Sequence, residues 1–228
     1  MNVAFNRDCL EAMREMDDNA FELAIVDVPY GIGEDVYVSG AKPCLKWRNP
    51  TKREYKTVWD VRPSSEYFHE LRRVSQNQIV WGANHFISEI PFDSPCWIVW
   101  DKRDPLTDQA DCELAWTSFR TAVRKFDWLW SGFKKQQPEQ RFHPTQKPVA
   151  LYKWLLQNYA KPGDKILDTH LGSGSSRIAC YDLGFDFTGY ELDADYFQAQ
   201  EERFARHTAQ QTLFTPEAKP MIQEAMFA

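Results

Sequence analysis

An α/β fold, built as a mostly parallel sheet with helices on both faces, is what this sequence predicts. Three observations carry that reading. Short apolar runs of strand type alternate with stretches of helical period, residues 165–190 form a complete strand–turn–helix–strand unit, and two turns, at 27–33 and 168–175, sit at the ends of strand-like runs. In such sheets ligands gather at the carboxyl ends of the strands. With 228 residues and 43% hydrophobic content, a single domain over 1–228 suffices, with inserted loops at 34–62 and 120–142.

Taken in order, residues 3–5 read as a short strand. Residues 8–16 follow as an amphipathic helix, with Leu10 and Met13 on its apolar face and an acidic first turn. Residues 21–26 form a buried strand that stops at Asp27, and 34–61 lack periodicity, as an inserted loop or small subdomain does. A helix is expected over 64–74, with Pro63 near its start and Phe68, Leu71 and Val74 on one face. Residues 78–81, 96–100 and 113–119 are strand-like and too short for helices. Residues 132–141 read as loop. A helix over 148–159 opens at Pro148 and is stopped by Lys161, Pro162 and Gly163. Then come a strand at 165–168, a glycine-containing turn at 172–175, a helix at 177–183, a strand at 185–190 and a last helix at 195–207. Residues 210–228 have no clear pattern.

A net charge of -6 speaks against a protein that coats nucleic acid nonspecifically, since cations drive that binding by releasing counterions from phosphates. The charge is locally uneven. Residues 40–62 and 120–148 each hold seven basic residues against two acidic ones, a local balance of +5, interleaved with aromatics such as Trp47, Trp59, Trp128 and Trp130. A basic, aromatic surface suits phosphates and an unstacked base, with Lys46, Arg48, Lys52, Arg53, Lys134 and Lys135 as the candidate contacts. Solvated loops give the same pattern. The five cysteines form no CxxC pair, so neither a metal site nor redox chemistry is expected. No stretch approaches a membrane span and the first residues lack a signal-peptide pattern, so the expectation is a cytoplasmic protein with no membrane partner.

In the later turn, Gly172 and Gly174 let the backbone approach a ligand closely, and Glu191 at the next strand end can accept hydrogen bonds from both hydroxyls of a ribose. Arg177 occupies the place of the third glycine of the dinucleotide fingerprint, so a nucleoside without a pyrophosphate fits better. S-adenosylmethionine is such a molecule, and its cationic groups favour a carboxylate such as Asp168. A tight strand-to-helix turn without a ligand is the alternative reading. In the earlier turn stand Asp27, Val28, Pro29 and Tyr30. An exocyclic base amine is a poor nucleophile because its lone pair is delocalised into the ring. The Asp27 carboxylate and the Val28 carbonyl can hold its two N–H bonds and aim that lone pair at a methyl carbon. Pro29 would stiffen the loop and Tyr30 would stack on the base, which must first leave the duplex. Four such residues equally make a plain strand-to-loop turn with Tyr30 packed on the core.

Together, and in this order, the two turns resemble the amino-methyltransferase family that modifies DNA at adenine N6 or cytosine N4. Asp27 to Tyr30 is similar to its catalytic Asp-Pro-Pro-Tyr, and Asp168 to Ser175 to its cofactor motif Asp-Pro-Phe-x-Gly-Ser-Gly-Thr. The catalytic element comes first, as in the permuted beta arrangement. His143, Pro144, Thr145, Gln146, Lys147 and Pro148 resemble the segment that opens a helix and helps hold the cofactor. Residues 5–8 resemble the segment near the cofactor adenine, and 189–193 the ribose-binding strand end.

The resemblance implies a Rossmann-like S-adenosylmethionine-dependent methyltransferase fold with circularly permuted motif order. It implies Asn6, Asp8, Thr145, Lys147, Asp168, His170, Gly172, Ser173, Gly174, Ser175 and Glu191 around the cofactor. The implied partner is double-stranded DNA with its target base flipped out, and a homodimer is compatible with it. Asp27 at the head of the motif points to adenine, so the implied activity is site-specific methylation of adenine N6. Cytosine N4, adenine in RNA, and a catalytically impaired homologue that serves as a nucleic-acid-binding subunit are the alternatives. Val28 replaces the family's first proline but keeps its carbonyl, whereas Thr169 and His170 replace the usual Pro and Phe, which implies weaker cofactor affinity. Residues 97–102 and 113–116 look like segments of phage-type members, which suggests a phage or prophage origin.

Overall fold

The computed structural model describes residues 1–31, 61–90, 93–103, 110–131, 134–143 and 145–209. In chain order the elements are β1 (Asn2–Asn6), α1 (Cys9–Arg14), β2 (Phe21–Val26), α2 (Ser65–Val74), β3 (Ser75–Trp81), β4 (Trp97–Asp101), β5 (Cys112–Thr117), β6 (Arg124–Asp127), β7 (Trp130–Ser131), β8 (Lys134–Lys135), α3 (Val149–Tyr159), β9 (Lys165–Asp168), α4 (Ser175–Leu183), β10 (Asp186–Glu191) and α5 (Ala194–Ala209). Eight strands form one sheet in the order β1-β10-β9-β2-β3-β5-β4-β6, and β7 pairs with β8 in a separate ribbon. Within the large sheet β5 alone runs against its neighbours.

The central strands β2 and β9 carry apolar runs because the sheet is covered on both sides. Along β2, Leu23 and Ile25 enter one core with Leu151 and Leu155 of α3 and Ala179 of α4. Ala24 and Val26 point the other way, to Met13 of α1 and Phe68 and Leu71 of α2. The expected α/β architecture is the one observed. No helix among the described residues is long and apolar enough to cross a membrane.

Three departures from expectation share a cause. β3 begins at Ser75 rather than at 78, on polar residues that satisfy one another: Ser75 Oγ donates to the Leu71 carbonyl at 2.5 Å and Gln78 Nε2 donates to the Ser75 carbonyl at 2.6 Å. β6 went unpredicted because Phe126 is its one buried residue, and it is a strand by virtue of pairing along β4. β8 falls within residues expected to be loop, again by pairing rather than by pattern. In each case a partner strand supplies what the local sequence does not advertise.

The order of the sheet fixes where a ligand can sit. From β9 the chain crosses by α4 to β10, whereas from β2 it crosses by α2 to β3, in the opposite direction. β2 and β9 are neighbours, with Ala24 opposite Leu167, so their carboxyl ends bound the crevice at the switch point. The reversed β5 contributes its first residues to that same end, since Glu113 lies opposite Trp100 near the end of β4.

Candidate active site

Asp27 follows the last residue of β2 and is held by two side chains. Tyr30 donates its hydroxyl to Asp27 Oδ1 at 3.2 Å, and Lys147 Nζ lies 2.5 Å from Oδ2. Lys147 also reaches Glu113 Oε2 at 3.0 Å, and Glu113 Oε1 lies 2.6 Å from Lys102 Nζ. Burial pushes the Asp27 carboxyl up, Lys147 pulls it back and Glu113 adds to the rise, leaving it above the ordinary carboxylate value. Burial also opposes the charge of Glu113, but Lys147 and Lys102 outweigh it and hold Glu113 at about 2. Burial lowers Lys147 less than Asp27 and Glu113 raise it, so its ammonium stays charged.

Val28 is 1% exposed and packs in the core cluster that holds Phe68, Phe86 and Leu167, so the valine found in place of a proline is anchored by its side chain. Tyr30 stacks on His85, ring centroids 4.8 Å apart at 18°, with Phe86 edge-on. The ring lies against Gly82, whose φ of +66° and lack of a Cβ permit the approach; a Cβ there would overlap it.

The glycine-bearing turn follows β9. Asp168 is buried; it accepts from Ser176 Oγ at 2.5 Å and from the His170 N–H at 3.0 Å. Burial above all, despite those two donors and with the charges of Asp27 and Glu191 adding to it, raises its carboxyl to about 7. Gly174, at φ +75°, caps α4 against Gln200 of α5. Ser173 and Ser175 are buried, their hydroxyl oxygens 3.1 Å apart. Glu191 accepts from the Gly172 and Asp193 N–H groups at 2.8 and 2.9 Å. His170 meets Tyr67 edge-on, and Thr169 Oγ1 lies 2.6 Å from the Tyr67 hydroxyl and 2.9 Å from His170 Nδ1. Both residues that depart from the family motif are thus tied to α2. Burial lowers His170 to about 4, so its ring is neutral.

The remaining expected residues are distributed unevenly. Asn6 Nδ2 donates to the Glu191 and Leu192 carbonyls at 2.8 and 3.1 Å, joining the ends of β1 and β10. Asp8 caps α1 by accepting from the Leu10 and Glu11 N–H groups. Thr145 is exposed and lies 3.0 Å from His143 Nδ1. In this segment it is His143 that meets the glycine turn, its ring lying over Gly172 and meeting Tyr196 edge-on at 4.3 Å. Lys147, expected with the cofactor, has its ammonium on Asp27 and Glu113 instead. Lys135 is occupied by the Glu139 carbonyl and the Trp130 ring, and Lys134 belongs to β8. Lys46, Arg48, Lys52 and Arg53 lie outside the described residues.

Lys102 and Glu113 fall in the segments 97–102 and 113–116 that resemble phage-type members, but no site role was read for either, and no motif singled out His85 or Arg203. Arg203 of α5 is buried and donates to the Ser173 carbonyl at 2.7 Å and Ser175 Oγ at 3.0 Å, while pairing with Glu139. In the sequence Arg203 is one charge among many on the last helix, and its burial and partners belong to the fold. Two surface hollows lie at the opposite end of the sheet, one beside Ser75 and Trp116, the other beside Met1 and Lys165.

The charges of Asp27 and Glu191 both raise the affinity of Asp168 for a proton. A ligand that carries positive charge relieves that repulsion, and a neutral or anionic one does not. The three carboxylates therefore suit a cationic ligand.

Comparison with known proteins gives three kinds of relationship. A family described as DNA methylase matches residues 18–202. A protein of Escherichia coli (strain K12) provisionally named methylase YubD is 24% identical over 214 residues, covering 87% of this chain and 88% of its own. Among solved structures, the M1.HpyAVI–SAM complex has a TM-score of 0.56 at 21% identity, covering 89% of this chain and all of that one. PvuII DNA methyltransferase, cytosine-N4-specific, has a TM-score of 0.60 at 12% identity, covering 90% of this chain and 86% of that one. The two structures share the fold.

Proposed function

This chain belongs to the DNA methylase family, and from that premise we propose that it methylates N6 of an adenine flipped out of double-stranded DNA. Its methyl donor is S-adenosylmethionine, which when bound supplies an electrophilic methyl group on a sulfonium centre. One observation supports the reading most: Asp27 and Asp168 stand at the carboxyl ends of the adjacent strands β2 and β9, so an amine at one and a cationic cofactor at the other meet in one crevice.

The work of the protein's own residues follows from that placement. Asp168, Glu191 and the turn at 172–175 hold the cofactor, with His143 covering the glycine. Asp27 Oδ1 accepts one N–H of the target amine and the Val28 carbonyl accepts the other, which localises the nitrogen lone pair and stabilises the positive charge it acquires. Tyr30, braced by His85, offers its ring as a stacking surface for the base. Asp27, which accepts an N–H of the amine, is the group that can take the proton the amine sheds once its nitrogen is methylated.

The test is incubation with unmodified bacterial genomic DNA and S-adenosylmethionine, digestion to nucleosides and mass analysis. N6-methyladenine is the expected product. N4-methylcytosine would overturn the choice of base, and methylation confined to RNA would overturn the choice of substrate.

A further inference from the structure

Lys147 sits where its motif does not put it. Its side chain is 3% exposed, and its ammonium bridges Asp27 Oδ2 at 2.5 Å and Glu113 Oε2 at 3.0 Å, with Lys102 closing the row 2.6 Å from Glu113 Oε1. Four charges of alternating sign thus run from β2 through the segment before α3 to β5 and the end of β4. Taking ions out of water costs several kcal/mol each, and a neutral hydrogen-bonded pair would fix the same loop geometry at lower cost. What the row adds is an electric field at Asp27.

We infer that Lys147, backed by Glu113 and Lys102, is a positioning residue for methyl transfer: it keeps Asp27 in its ionised, acceptor-only form and pins Oδ2, so that Oδ1 faces the amine. The inference rests on the reading of Asp27 as the amine's acceptor. A protonated carboxyl would present an O–H to a nitrogen whose lone pair must remain free, and would accept from its N–H groups less well. The groups that face Asp27 explain why help is needed. Tyr30 stabilises its charge, whereas Glu113 of β5 repels it and burial opposes it most; Asp168 at the end of β9 feels the charge of Asp27 in turn. Tyr152 of α3 lies close enough to feel Asp27 and stays neutral. Lys147 is the cation in direct contact. Glu113 takes the ammonium's other side and so fixes its position, and Lys102 offsets the repulsion that Glu113 brings.

The experiment follows the Asp27 carboxyl carbon by NMR in protein labelled at aspartate, assigned with Asp27→Asn. The pH titration of Lys147→Met is expected to show the Asp27 midpoint raised by about 1–3 units. Glu113→Gln, which removes a repelling charge and keeps the shape, is expected to lower it. Lys147→Arg should restore the wild-type midpoint. In parallel, the acid limb of kcat for methyl transfer to unmodified genomic DNA should move in the same directions, with kcat of Lys147→Met down at least about tenfold at pH 7 and KM for S-adenosylmethionine unchanged. Midpoints that stay put in Lys147→Met and Glu113→Gln, whatever their melting temperatures, would overturn the inference. Should Lys147→Met fail to fold, Glu113→Gln decides by itself. A wild-type protein that transfers no methyl group would sink the functional reading, while the carboxyl titration would still decide the charge row.

Discussion

A carboxylate that accepts hydrogen bonds from an amine must be charged, yet burial at the carboxyl end of β2 strips Asp27 of water; the two needs are reconciled by Lys147 at 2.5 Å. Asp27→Asn replaces one acceptor oxygen by a donor. It should lower kcat about 10²–10³-fold while leaving calorimetric affinity for S-adenosylmethionine within about twofold. Asp168 poses the opposite problem. Its carboxyl is raised to about 7, chiefly by burial, whereas in the unfolded chain it lies near ~3.9. Between those values the folded protein holds more protons than the unfolded one, so this group's stabilising contribution is full below about pH 4 and is lost as pH rises through about 7. Asp168→Asn should therefore raise the stability of the ligand-free protein at pH 8 by about 2–4 kcal/mol and flatten its decline from pH 5 to 8, at the expense of cofactor affinity. Melting curves of both proteins at the two pH values check it. Residue types announced Asp27 and Asp168 as site groups. Glu113 was silent because its partner Lys147 is distant in sequence.

At the scale of elements, the site depends on how strands and helices end. Tyr30 takes its place because the turn after β3 has a glycine at φ +66° beneath the ring. Gly82→Ala should lower stability by about 1–3 kcal/mol and reduce kcat more than cofactor affinity, as seen in thermal unfolding and single-turnover assays. Similarly, α5 pins the cofactor turn through Arg203, which is bonded to Ser173, Ser175 and Glu139. Arg203→Met leaves Glu139 without that cation and Ser173 without that donor. A destabilisation of about 3–5 kcal/mol and weaker S-adenosylmethionine binding are expected, read by denaturant unfolding and calorimetry. The helices and the central strands were visible as period and apolar runs. β6 and the start of β3 were not, because an edge strand with one buried residue and a strand that opens on Ser75 carry no apolar run.

Across the whole molecule, the sheet order joins two motifs that stand far apart in sequence. β2 and β9 pair in parallel, and the crossovers leave them in opposite directions, so the turns at 27–30 and 168–175 share one crevice. The substrate is a polyanion and the chain carries a net charge of -6, so attraction must come from local basic stretches. Neutralising Lys46, Arg48, Lys52 and Arg53 together should weaken DNA binding and shrink the slope of log affinity against log salt by about 0.9 for each phosphate that the variant no longer neutralises. Titrations at three or more salt concentrations measure it; an unchanged slope would remove that stretch from the interface.

The sequence by itself determined the alternation of strands and helices, the two turns and the kind of chemistry their residues can do, because period and turn composition are local properties. Only the tertiary structure decided that Lys147 meets Asp27, that the reversed β5 brings Glu113 to the crevice, and that Arg203 holds the glycine turn. Those are pairings between distant segments, and a charge carries no mark in the sequence of which opposite charge it will meet once both leave water.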